Sequence, residues 1–146
     1  MSDTVLVPFD GSPLANRALR HTFDRFPDAD VIVYYVIDVF DASGFAGADS
    51  TYEPLIGSNE WHAMEREAAE QLLAVAEAVA DEYDREIDTE SEVGDPTRLI
   101  PEFARDRSVD HVVIGVHGRD EEERPLVGQV AETVVFRSPV PVTVIS

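Results

Sequence analysis

The sequence is constrained most by stretches that are apolar at every position rather than at alternate ones. The longest is Val31-Ile32-Val33-Tyr34-Tyr35-Val36-Ile37, held between Asp30 and Asp38. Shorter ones are Val5-Leu6-Val7 and Val112-Val113-Ile114. A strand with one face in water alternates apolar and polar residues. An unbroken β-branched and aromatic run needs cover on both faces, as in a parallel sheet flanked by helices.

The segments between these runs supply the helices. After Thr4–Pro8, Ser12 can cap a helix and Pro13 suits its first position, where a missing N–H costs nothing. That helix is expected to reach Phe26, with Leu14, Ala18, Leu19, Thr22 and Phe26 on one side. Residues 40–58 read as a long loop. From Asn59, Trp61, Met64, Ala68, Leu72, Val75, Val79 and Tyr83 recur at helical spacing with Glu65, Glu67, Glu70 and Glu77 between them. Glu86–Val93 predicts an acidic edge strand. Asp95 and Pro96 then repeat the capping logic for a helix to Arg107. A strand over Asp110–Gly115, an acidic loop over Arg119–Val127, a helix over Gly128–Arg137 and a last strand over Val140–Ile145 complete the order. Five strands alternating with four helices predict a single α/β domain spanning residues 1–146, with right-handed crossovers and helices on both faces of a parallel sheet.

Composition narrows the function classes. There is no cysteine, so thiolate chemistry, disulfides and cysteine-ligated metals are excluded. His21, His62, His111 and His117 are scattered without metal-ligand spacing. Thirty acidic residues oppose eleven basic ones, for a net charge of −19, and every basic residue is Arg rather than Lys. Such a surface repels nucleic acid and anionic membranes. With 44% hydrophobic residues the chain has material for a core. The combination reads as a folded protein adapted to very high salt. No apolar run approaches a membrane span and no basic, apolar leader opens the chain, so a cytoplasmic location is expected.

In such a sheet a ligand binds beyond the carboxyl ends of the strands, where the strand order reverses. Two glycine-bearing loops follow strand ends: Pro8-Phe9-Asp10-Gly11-Ser12 after the first strand and Gly115-Val116-His117-Gly118 after the fourth. Gly128 then opens the last helix. Glycines let backbone N–H groups approach phosphate oxygens, and a helix N-terminus favours the same anion. The glycines equally serve tight turns. A Walker loop is excluded by the absence of Lys, and the dinucleotide fingerprint is absent. A phospho-acceptor receiver needs an Asp ending its third strand, where this chain has Ser91-Glu92-Val93.

Gly115, two residues, Gly118, nine residues, Gly128 resembles the glycine signature of the nucleotide-binding universal stress proteins. The resemblance extends to Val5-Leu6-Val7-Pro8-Phe9-Asp10-Gly11-Ser12, Tyr35-Val36-Ile37-Asp38, Gly94-Asp95-Pro96 and Pro139-Val140-Pro141-Val142. It implies a Rossmann-like sheet of order 3-2-1-4-5, a homodimer along the last strand, and ATP in the crevice, with or without Mg²⁺. Carried over residue by residue, Pro8 and Val36 border the adenine, Val36 through its backbone. Asp10 sits near the ribose or phosphates, and Gly115, Gly118, Gly128, Gln129 and Val130 surround the phosphates. Asp10 has a second role open to it, stabilising the turn before Ser12. Two features depart from the family's pattern: Gln129 stands where Ser or Thr is usual, and Glu121-Glu122-Glu123 lies beside the phosphate loop. No nucleophile–base pair stands out, so a nucleotide-responsive binding module is expected rather than an enzyme. A slow ATP hydrolase and a member that binds no nucleotide are the alternatives.

Overall fold

The computed structural model describes residues 3–37, 58–116 and 129–146. Along the chain these form β1 (Thr4–Pro8), α1 (Pro13–Arg25), β2 (Asp30–Ile37), α2 (Asn59–Glu82), β3 (Asp88–Val93), α3 (Pro96–Asp106), β4 (His111–Gly115), α4 (Gln129–Arg137) and β5 (Val142–Ile145). The strands make one parallel sheet in the order β3-β2-β1-β4-β5. The fold class expected from the sequence is therefore the one observed.

The central strands are covered on both faces, as their unbroken apolar runs require. Val5, Val7, Val31, Val33 and Val113 point to one face, where α1 and α2 pack through Ala18, Leu19, Phe23, Ala76 and Val79. Leu6, Ile32, Tyr34, Val112 and Ile114 point to the other, against Ile100, Phe103 and Ala104 of α3 and Ala131 and Val134 of α4. β3 is the acidic edge, mostly exposed. Among the described residues no helix is long and apolar enough to cross a membrane.

Helix starts follow their local code. Ser12 Oγ accepts from Ala15 N at 3.2 Å, and Asp95 Oδ1 accepts from Thr97 N at 2.9 Å. Each cap precedes a proline in the first turn. α2 ends with Asp84 at φ 53° and Arg85 N bonded back to Ala80 O at 2.9 Å. This left-handed stop delays β3 to Asp88, two residues after the expected start.

Two expectations need correction. The core face of α2 does not run through Met64, Ala68 and Val75; Met64 is 54% and Val75 49% exposed. The buried side runs through Trp61, Ala69, Ala76, Val79 and Ala80, with Leu72 and Leu73 partly covered. Alanines let the helix approach the sheet closely, so the larger residues are left outside. β5 begins at Val142 rather than Val140. Ser138 Oγ donates to Val140 O at 2.8 Å and accepts from Val140 N at 3.2 Å, which folds residues 138–140 into a turn.

Candidate functional site

The chain leaves β1 toward β2 and β3 on one side and returns to β4 and β5 on the other, so the order reverses between β1 and β4. These two strands pair directly, Val5 with His111 and Leu6 with Val112. The ends of these two strands, at Pro8 and Gly115, therefore lie side by side, and the reversal leaves a crevice beyond them at the carboxyl edge of the sheet. α1 and α4 each follow a strand end and lead toward a parallel neighbour, so both present their N-termini on this side. Of the sequence candidates, Pro8, Asp10 and Gly115 lie at these two strand ends, Val36 near the end of β2, and Gln129 and Val130 at the start of α4.

The β1 side is tightly built. Phe9 N donates to Tyr34 O at 2.9 Å, which continues the ladder one step past Pro8. Asp10 Oδ1 accepts from Ser12 N at 2.9 Å, so Asp10 does hold the turn ahead of the cap. Gly11 adopts φ +79°, a left-handed conformation that costs a glycine nothing. A Cβ there would also lie 3.2 Å from Leu72 Cδ1. α2 thus presses on the crevice loop, a long-range contact that no local pattern reveals.

Val36 owes its place to register. In an extended strand, the N–H and C=O of one residue face the same edge, and successive residues alternate edges. Tyr34 O faces β1, since it accepts from Phe9; Ile37 O faces β3, since it accepts from Gly94 N at 2.9 Å. Pairing with β3 is regular from Ile32 to Ile37. The N–H and C=O of Val36 therefore point toward β1, but beyond its last paired residue, Pro8. This donor and acceptor face the crevice, past the end of β1. The Val36 side chain packs away from that edge, on the α3 and α4 face.

Tyr34 fixes the strand that presents Val36. Its ring is 1% exposed and stacks on Phe103 at a centroid distance of 4.3 Å. Its hydroxyl donates to Glu92 Oε2 at 2.7 Å. Burial first, and then the bond to Glu92, push the phenol well above its ordinary range, so it remains a donor.

On the β4 side, Gly115 has a packing reason to be glycine. A Cβ would stand 2.9 Å from Leu14 Cβ and 3.0 Å from the Leu14 carbonyl carbon. The first turn of α1 sits directly on the strand end. Val116 N then donates to Ile145 O at 2.8 Å. Gln129 is the exposed first residue of α4, and Val130 is half-buried behind it. N–H groups at such a terminus suit an anion. Gly118, Gly128, His117 and Glu121-Glu122-Glu123 lie outside the described residues. Among the described residues no three His, Asp or Glu side chains group as metal ligands.

The profile of the universal stress protein family matches residues 1–146. Universal stress protein MJ0531 of Methanocaldococcus jannaschii is 33% identical over 145 residues, covering 97% of this chain and 80% of its own. The solved structure of MJ0577, a universal stress protein of the same organism, superposes with a TM-score of 0.74 at 25% identity, covering 99% of this chain and 96% of that one. Two more distant structures share the fold. One is a universal stress protein in complex with cAMP, with TM-score 0.66 and 22% identity over 99% of this chain and 96% of that one. The other is an Arabidopsis thaliana family protein with AMP bound, with TM-score 0.65 and 19% identity over 98% of this chain and 90% of that one. With the family profile spanning the chain and a relative one-third identical along nearly all of it, this chain belongs to the universal stress protein family.

Proposed function

We propose that this chain is an adenine-nucleotide-binding module, with ATP as the ligand, and that it acts through nucleotide-dependent association rather than catalysis. The observation that carries the reading is the edge of Val36. Its backbone donor and acceptor face the crevice just where β1 ends, at the reversal of strand order. An adenine presents a donor and an acceptor side by side, and a strand edge can pair with both. Pro8 borders the same space. Asp10, the backbone amides of Gly115, Gly118 and Gly128, and those of Gln129 and Val130 at the start of α4 would receive the ribose and phosphates. The family structures with cAMP and AMP support an adenosine monophosphate unit as the common ligand part.

In this reading the protein is cytoplasmic and works as a homodimer through β5. That strand lies at the sheet edge, with Val144 37% exposed. The acidic, lysine-free surface suits molar salt, where the Debye length falls to about 3 Å and self-repulsion is screened. Nucleotide retained through gentle purification in molar KCl, without turnover of added ATP, is the expected outcome. Steady release of ADP would make the protein a slow hydrolase instead. Absence of nucleotide, and no uptake of any added one, would leave a purely protein-binding family member.

A further inference from the structure

A groove runs between α3 and the end of α4, lined by none of the crevice residues. A cavity of about 240 Å³ opens there, lined by Arg98, Arg105 and Arg137, with Glu102 as the acidic residue and Pro101 and Pro139 among its walls. At about 30 Å³ per molecule that is room for about eight waters, enough for a tetrahedral oxyanion and part of what carries it. Three of the chain's eleven basic residues meet here, in a protein with thirty acidic ones.

All three arginines line the same groove. Arg98 and Arg105 are seven residues apart on α3, which is two turns and about 10 Å along one face of the helix. Arg137 ends α4. None of the three is tightly held. Arg98 meets Glu102 at 3.2 Å, and Arg105 meets its neighbour Asp106 at 3.2 Å. Arg137 makes no ion pair among the described residues. Two other arginines are held more closely, Arg20 by Glu82 and Arg107 by Glu90, each at 2.6 Å. Charge-assisted N–H···O bonds run about 2.7–2.9 Å, so the pairs in this groove leave most donors of their guanidiniums uncommitted. A guanidinium carries five N–H donors in a planar fork that matches phosphate oxygens two at a time.

We propose that this groove is a binding site for a phosphate dianion, held by the forks of Arg98, Arg105 and Arg137. On a surface of net charge −19 it is a place where an anion meets more cations than carboxylates, even with Glu102 and Asp106 counted. The site does not depend on the nucleotide reading, since its lining shares no residue with the β1–β4 crevice.

The test is an NMR titration of the full chain at the lowest KCl concentration that keeps it folded. Inorganic phosphate is added at constant ionic strength against a chloride control, following arginine Nε–H and backbone amide shifts. Saturable millimolar shifts at Arg98, Arg105 and Arg137 are expected, weakened at least tenfold in Arg98→Gln/Arg137→Gln and at least threefold in Arg137→Lys, which keeps the charge but loses the fork. Unchanged dispersion in both variants checks the fold. Tighter binding of phosphoserine than of phosphate would support a phosphomonoester ligand; equal or weaker binding would support free phosphate. Linear shifts, an equal response to chloride, an unaffected double variant, or shifts confined to Pro8–Ser12, Val36 and Gln129 would each overturn the proposal.

Discussion

Gly115 gives a prediction whose size follows from distances. Replacing it with Ala puts a methyl 2.9 Å from Leu14 Cβ, 3.0 Å from the Leu14 carbonyl carbon and 3.2 Å from its oxygen. Two of those atoms are backbone, so no rotamer change relieves the contact. Either β4 or the first turn of α1 must move by several tenths of an ångström. α1 is held by its own cap at Ser12 and by Ala15, Ala18 and Leu19 in the core. Overpacking of this kind costs about 1–3 kcal/mol. For a domain of this size that corresponds to a fall in Tm of roughly 3–9 °C. The same shift tilts the Pro8–Ser12 loop, so nucleotide affinity should fall along with stability. Thermal and urea unfolding in molar KCl, followed by circular dichroism, reads the first effect, and calorimetry reads the second. A Gly115→Ala protein within about 0.5 kcal/mol of the wild type would refute the close-approach reasoning.

Other consequences are direct. In 10 mM buffer the Debye length approaches about 30 Å, so the −19 chain should lose helical ellipticity and recover it in molar KCl; a cooperative fold kept at low salt would contradict the high-salt adaptation. Val142→Pro removes a backbone donor from the edge strand and should give a monomer by light scattering, whereas a monomeric wild type in molar salt would rule out the β5 dimer. Ser12→Ala removes the cap on Ala15 N and should cost about 1 kcal/mol in urea unfolding; no measurable loss would show that this cap contributes nothing.

How much could be read from the sequence depended on the range of the interaction. Caps at Ser12 and Asp95 are decided within three residues, and both were legible. So was the parallel sheet, because Val31–Ile37 is apolar without alternation. The buried side of α2 was not. Met64 and Val75 are more hydrophobic than Ala69 and Ala76, yet the close approach of helix to sheet selects the smaller residues. The site divides in the same way. Glycines at 11 and 115 are visible in the chain, but Leu72 and Leu14, the neighbours that demand them, come from distant or oppositely placed segments. The direction of the Val36 edge required two pairing registers, and the Tyr34–Glu92 bond spans 58 residues. Asp10 had two readings, and the structure supplies the turn-stabilising one without removing the other.

The most direct measurement is calorimetric titration of ATP into the wild type and into Gly128→Val, both in molar KCl. Gly128 immediately precedes α4 in the sequence, and the proposed phosphate lies at that helix N-terminus. Single-site, saturable binding to the wild type is predicted, with none to Gly128→Val at the same concentrations and the same far-ultraviolet spectrum for both. No binding heat for the wild type at any salt concentration, or equal affinity in the variant, would contradict a nucleotide site at the β1–β4 crevice.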